Sequence, residues 1–173
     1  MNYNKILIIG DAGRGKTTLA KKLSKKLNIP SHSTDDYFWE VKFSKPRDRQ
    51  KSVEQISELY RGDRWIVEGT ATHLIMPGLE TSDMIIQLIY KGILYQNLIL
   101  LHRYFSRGDE SFLAHLKLMK HTFYKKYSLG YMKGKKTISE LIAPYKDKTV
   151  TLSSFQNIEK FISDFPETER LIR

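Results

Sequence analysis

The sequence predicts an α/β fold in which a five-stranded parallel sheet carries helices on both faces. Three observations lead there. Short apolar runs alternate along the chain with segments whose apolar residues recur at helical spacing. The first run, Lys5-Ile6-Leu7-Ile8-Ile9, shows no polar alternation, as a strand buried on both faces requires. The stretch after it, Gly10-Asp11-Ala12-Gly13-Arg14-Gly15-Lys16-Thr17-Thr18, fits G-x-x-x-x-G-K-[ST], the phosphate-binding P-loop. Strand, glycine loop and helix in that order predict the three-layer sandwich of P-loop NTPases.

Each element follows in turn. Leu19, Ala20, Leu23 and Leu27 stripe a first helix, which Asn28-Ile29-Pro30 breaks. Ser31-His32-Ser33-Thr34 reads as a short second strand, and Asp35-Asp36-Tyr37-Phe38-Trp39 as a loop or short helix. Val41 to Arg49 is polar and basic, and is expected to be a flexible segment. Val53, Ile56, Leu59 and Tyr60 mark a helix that Gly62 can stop. Arg64 to Gly69 is a third strand and Met84 to Ile89 a fourth. Further helices are expected over 93–105, 110–127 and 137–145, with Gly130 and Gly134 bracketing a lysine-rich loop. Thr149-Val150-Thr151-Leu152 is a fifth strand, and Phe155, Ile158, Ile162 and Phe165 stripe a closing helix.

Composition narrows the function. A chain of 173 residues predicts a single domain, 1–173, able to bury a core without staples. The absence of cysteine excludes a disulfide framework, a zinc-thiolate site and a thiol nucleophile. The sequence opens directly on its first strand and no apolar run is long enough to span a bilayer, so the expectation is a cytoplasmic protein without a membrane partner. The net charge of +10, from 29 Lys and Arg against 19 Asp and Glu, favours anionic partners, either nucleotides or nucleic acid. Lysines are plentiful in the second half, but between Arg64 and Arg170 the arginines are Arg103 and Arg107 alone. Arginine is the better bidentate phosphate clamp, which singles these two out.

In a parallel α/β sheet, ligands bind beyond the C-terminal ends of the strands. The residues that follow each strand are therefore the candidates. Gly10 to Thr18 would wrap ATP phosphates in backbone N–H groups at a helix N-terminus. Lys16 would reach the β- and γ-phosphates, and Thr17 would ligate Mg²⁺. Asp35 and Asp36 follow the second strand. A carboxylate there can orient an acceptor hydroxyl and take its proton; for Asp36 the competing reading is a helix cap. Phe38 and Trp39 would stack on a flat acceptor or pack in the core. Glu68 and Gly69 end the third strand, Glu68 toward a metal-bound water and Gly69 toward the acceptor. Arg103 and Arg107, four apart on one helix face, can neutralise the transferring phosphoryl group. Phe155, after the fifth strand, would touch a nucleobase or pack in the core. Asp83 reads as a cap or turn residue.

The motifs also resemble a family. The P-loop Gly10–Thr18, then Asp35, Phe38 and Trp39 as Asp-x-x-Phe-Trp, then Gly62-Asp63-Arg64-Trp65 through Gly69, look like the bacterial topology-modulation proteins. Those are small P-loop kinases related to adenylate kinase and shikimate kinase. The resemblance implies the strand order 2-3-1-4-5 and a mobile helical lid after the fourth strand, roughly residues 103–136. Glu68 stands where that family usually has Asp, and Tyr90-Lys91 where Pro-Arg often follows.

These readings converge on a kinase using Mg²⁺ and ATP, with a nucleoside or nucleotide as acceptor. Lys16, Asp35, Arg103 and Arg107 are its catalytic candidates. Asp35-Asp36-Tyr37-Phe38 also resembles the acceptor element of uridine- and nicotinamide-riboside-type kinases. The alternative from a different class is an ATP-binding regulatory or nucleic-acid-binding protein, which the basic charge and Lys133, Lys135 and Lys136 favour.

Overall fold

The computed structural model describes residues 3–41, 44–89, 120 and 136–166. The helices expected over 93–105 and 110–127, the glycine-bracketed loop, Arg103 and Arg107 lie outside these residues, as does nearly all of the expected lid. Along the chain the described elements are β1 (Lys5–Gly10), α1 (Lys16–Leu27), β2 (Ser31–Ser33), α2 (Thr34–Phe38), β3 (Trp39–Val41), β4 (Lys45–Pro46), α3 (Arg49–Arg61), β5 (Trp65–Gly69), α4 (Thr72–Thr81), β6 (Met84–Leu88), α5 (Ile138–Ile142), a 3-10 helix (Ala143–Lys148), β7 (Thr149–Leu152) and α6 (Phe155–Asp164).

β1 is the centre of a five-stranded sheet ordered β2-β5-β1-β6-β7, and each neighbouring pair is parallel. The β3–β4 ribbon is a separate two-stranded unit that the sequence reading did not contain, and it shifts the strand numbering. With the ribbon set aside, the five sheet strands run 2-3-1-4-5 in chain order.

Alternation along β1 builds two cores. Ile6 and Ile8 join Leu19, Leu23 and Leu27 of α1 and Ile158 of α6 on one face. Leu7 and Ile9 join Ile56 and Tyr60 of α3, Leu74 and Leu79 of α4 and Ile138 of α5 on the other. A period of two therefore places helices on both faces, as the unbroken apolar run requires. Burying each such Leu or Ile contributes about 1.5–3 kcal/mol, so Ile6, Leu7, Ile8 and Ile9 of β1, all fully buried, anchor the sheet.

Polar groups trim the element ends. The Arg64 guanidinium donates to Leu27 O (3.2 Å) at the end of α1. Asp83 is a turn residue, as expected: its carboxylate accepts from Asn4 N and Lys5 N, both at 2.9 Å, and so ties the start of β6 to the start of β1. Lys148 Nζ caps the C-terminal end of α4 through Glu80 O (3.0 Å) and Ser82 O (2.8 Å). Burial holds its ammonium pKa below the usual lysine value, against the opposing pull of Asp83 and Glu80.

The structure departs from the sequence reading at three places. α4 was not foreseen, because Pro77-Gly78 reads as a break; Leu74, Ile75, Gly78 and Leu79 are nonetheless buried along it. The segment expected to be flexible contains β4 and the end of β3, and the ribbon they form is held by Arg47 N to Phe38 O (2.8 Å) and by a Glu40–Lys45 ion pair (2.8 Å). That pair holds the Glu40 carboxyl below its usual pKa. The helix expected over 137–145 is one short α-helix whose Thr137–Glu140 capping box starts it, followed by a 3-10 helix with Pro144 near its start.

Candidate active site at the C-terminal edge of the sheet

The P-loop leaves β1 at Gly10 and enters α1 at Lys16. Gly13 (φ +74°) and Gly15 (φ +82°) hold left-handed backbone, which side-chain-bearing residues avoid. These two turns curl the loop back toward the first N–H groups of α1. α1 has no side-chain N-cap and no acidic residue in its first turn, which leaves its positive end to another anion. Lys16 Nζ donates to Asp11 O (3.0 Å), so the ammonium lies over its own loop. Arg14 and Lys16 are both buried, at 5% and 8% exposure.

Thr17 Oγ1 donates to Glu68 Oε1 at 2.8 Å. The two residues are 51 apart in sequence and are brought together because β5 lies beside β1, with Ile8 opposite Glu68. A hydroxyl and a carboxylate in contact form a hard oxygen pair of the type that suits Mg²⁺. Both were metal candidates by residue type, and the sheet order joins them.

Asp35 and Asp36 belong to the first turn of α2, beyond the end of β2. Ser33, rather than Asp36, is the cap: its Oγ accepts from Asp35 N (3.3 Å). Ser33 is also opposite Glu68 in the β2–β5 register, so Asp35 lies two residues beyond the β2 position paired with Glu68. The sequence reading passed over Ser33, although a serine ahead of Thr-Asp-Asp is a recognisable start signal.

Beside the two aspartates lies an aromatic cluster. The Phe38 and Trp39 rings meet edge to face at 4.8 Å, and Phe38 also meets the His73 ring at 5.9 Å. Tyr37 and Phe38 are partly buried against the α3–α4 core, and Trp39 is half-buried. Burial, and then the Asp36 charge, raise the Tyr37 pKa. Burial, and then the nearby Arg49, lower that of His73. His73, in the first turn of α4, is a site neighbour that sequence reasoning missed, because α4 itself was missed.

Phe155 begins α6 beyond β7 and is 45% exposed, so it is not a core residue. Its ring edge lies 3.8 Å from where a Cβ on Gly15 would be, beside the P-loop. On β6, Gln87 is buried; its amide donates to Ser139 Oγ (2.9 Å) and accepts from Thr151 Oγ1 (3.4 Å), which ties α5 and β7 to the strand beside β1. Among the described residues, no helix is long and apolar enough to cross a membrane.

No protein-family model matches the chain. A curated relative, the uncharacterized protein YqaC of Bacillus subtilis (strain 168), is 39% identical over 67 residues, which is 37% of this chain and 36% of that protein. The chain thus aligns with about a third of that relative's length. Among solved structures, a shikimate kinase from Bacteroides thetaiotaomicron is similar at TM-score 0.56 and 19% identity, covering 94% of this chain and 95% of that one. A gluconokinase from Sinorhizobium meliloti 1021 is similar at TM-score 0.56 and 14% identity, covering 92% and 87%. A shikimate kinase from Acinetobacter baumannii, in complex with shikimate, is similar at TM-score 0.53 and 15% identity, covering 92% and 89%. The chain has the α/β fold of the small P-loop kinases.

Proposed function

We propose that the protein is a Mg²⁺- and ATP-dependent small-molecule kinase whose acceptor is a nucleoside or nucleotide. The observation that carries the reading is the convergence of three strand ends. The P-loop follows β1, Glu68 on β5 holds Thr17 Oγ1 at 2.8 Å, and Asp35 stands two residues after Ser33, the residue paired with Glu68. On this reading donor, metal and acceptor functions meet on one edge of one sheet.

The roles follow from the chemistry. Backbone N–H groups of Asp11 to Thr18 hold the phosphates at the α1 N-terminus. Lys16 exchanges Asp11 O for phosphate oxygen. Thr17 and Glu68 fit Mg²⁺, which when bound neutralises charge on the β- and γ-phosphates. Asp35 orients the acceptor hydroxyl. In the transfer the γ-phosphorus leaves the β–γ bridging oxygen and bonds to the acceptor oxygen, while Asp35 takes the acceptor's proton. Arg103 and Arg107 are assigned to the phosphoryl charge on residue type and spacing alone. Phe155, exposed beside Gly15, is assigned to the nucleobase of ATP.

The acceptor class rests on the aromatic cluster. Phe38 and Trp39, three and four residues beyond Asp35, cluster with a His73 held toward its neutral form, and flat rings of this kind are what stacking on a base requires. The test is ADP formation from Mg·ATP with nucleosides, nucleoside monophosphates, shikimate and gluconate, each against a no-acceptor control. Stimulation by a base-bearing acceptor is expected. Stimulation by the hydroxy acids alone would keep the kinase and remove the nucleoside. A flat panel with tight ATP binding would favour an ATP-binding regulator.

A further inference from the structure

Gly69 is a glycine for room rather than for conformation. The left-handed glycines among the described residues are Gly10, Gly13 and Gly15, and Gly69 is not one of them. A Cβ on Gly69 would lie 1.9 Å from Thr34 Oγ1, 2.4 Å from its Cγ2 and 2.7 Å from its Cβ. Thr34 is fully buried, and its hydroxyl has no hydrogen-bond partner among the described residues. The side chain therefore lies flat on the Gly69 backbone and contributes by shape.

The position of this contact gives it a consequence. Thr34 is the first residue of α2, and Asp35 is the next. Gly69 is the last residue of β5, and Glu68 precedes it, bonded to Thr17. Ser33 and Glu68 are already register partners, so Thr34 on Gly69 is the step at which the chain leaves the sheet and the acceptor carboxylate is aimed. We propose that Thr34 is a positioning residue: its packing on Gly69 seats α2 on the end of β5 and thereby sets the spacing between Asp35 and the Thr17–Glu68 pair. The catalytic part of this proposal rests on the kinase reading above; the seating part does not.

The experiment uses the whole protein and three variants, Gly69→Ala, Gly69→Ala with Thr34→Gly, and Thr34→Val. Alanine at 69 forces α2 to move off by about 1 Å to reach the 3.0 Å that Cβ contacts respect. The double variant moves the side-chain bulk from α2 to β5 and restores the fit. Valine copies threonine's shape without its hydroxyl. Acrylamide quenching of Trp39, which follows α2, reads the seat without any reaction; Trp65 is fully buried and contributes little. Gly69→Ala is expected to increase Trp39 quenching, and the double variant to return it to the wild-type value. With an active acceptor, Gly69→Ala is expected to lower kcat about 10- to 100-fold, since a displacement of about 1 Å costs on that order. ATP affinity is expected to stay within about twofold, because the phosphate contacts lie on the P-loop instead. The double variant is expected to recover most of kcat, and Thr34→Val to keep all of it.

Three results would overturn the proposal. One is unchanged quenching in a folded Gly69→Ala. Another is a folded double variant that recovers neither quenching nor turnover. The third is a loss of turnover in Thr34→Val, which would assign the role to the hydroxyl. If Gly69→Ala does not fold, a folded double variant with wild-type quenching still supports the contact, and an unfolded one overturns it. If the wild-type protein phosphorylates no acceptor, the kinase reading falls, while quenching still decides the seat.

Discussion

Gly78→Ala sets two physical effects of opposite sign against each other. Gly78 lies inside α4, where alanine is ordinarily the better helix former by about 1 kcal/mol. Propensity alone therefore predicts a more stable protein. The structure predicts the reverse. A Cβ on Gly78 would lie 2.5 Å from Tyr60 Cε1 and 2.6 Å from its Cζ. The ring cannot swing away easily, because its hydroxyl donates to Leu74 O (3.0 Å) and its edge meets Trp65 at 4.9 Å. Burial, together with the nearby Tyr37, pushes the Tyr60 pKa far above the usual phenol value, so this ring stays neutral across the working range. Forcing a methyl into such a core costs about 1–3 kcal/mol. Giving up the buried hydroxyl's bond costs about 1 kcal/mol more. Net destabilisation of about 1–3 kcal/mol is therefore expected after the propensity gain is deducted. With a urea m-value of about 2 kcal/mol/M, the midpoint should fall by roughly 0.5–1.5 M. The control is the same substitution in a Tyr60→Leu background, where the clash is gone and alanine should be neutral or stabilising. A raised midpoint in the wild-type background, or an equal cost in both backgrounds, would refute the reasoning.

Other outcomes follow from the site. Lys16→Ala should weaken ATP binding about 10- to 100-fold, as loss of a charge-assisted bond worth about 1.5–3 kcal/mol implies, with the thermal midpoint nearly unchanged; calorimetric titration checks it, and unaltered affinity would remove the P-loop assignment. Asp35→Asn should lower acceptor-dependent turnover by about 10²- to 10⁴-fold while sparing ATP affinity; equal losses in both would make Asp35 a structural residue. Glu68→Gln keeps an oxygen for Thr17 Oγ1 but removes the charge, so a Mg²⁺ titration should shift to higher concentration with ATP affinity in the absence of metal preserved; an unshifted titration would take Glu68 out of the metal set. His73, whose folded pKa lies below its ordinary 6.5, favours the folded state fully above that value, and this contribution is lost as pH falls through 6.5 toward the folded pKa. The drop in urea midpoint over that window should be shallower in His73→Gln, and an identical slope would place the pH dependence elsewhere.

The P-loop was legible because phosphate binding imposes a local pattern: the left-handed backbone at Gly13 and Gly15 demands glycine at those positions. β1 was legible for a similar reason, since burial on both faces leaves no room for polar residues. The closing helix α6 and strand β7 also stand where periodicity placed them. α4 was hidden because its buried residues Leu74, Ile75, Gly78 and Leu79 are interrupted by Pro77, and local rules read Pro-Gly as a stop. Tertiary packing overrides that rule here: Gly78 gives Tyr60 its place in the core, and the Tyr60 hydroxyl takes up Leu74 O. The β3–β4 ribbon was hidden because such short strands carry no periodicity, and the contacts that hold it come from Arg47 and from the Glu40–Lys45 pair.

The site divides along the same line. Glu68 and Thr17 were nameable from residue type, yet their bond spans 51 positions and exists only because β5 neighbours β1. Gly69 illustrates the limit more sharply. In sequence it reads as a turn after a strand, which is an argument about backbone freedom. In the structure its backbone is ordinary, and what matters is the missing Cβ, because Thr34 of a different element occupies that space. A glycine required for room can be recognised only when the partner that fills the room is known, and that partner is assigned by the pairing of β2 with β5. The candidate residues were therefore readable one at a time, whereas their spacing, on which the proposed transfer depends, is a property of the sheet order.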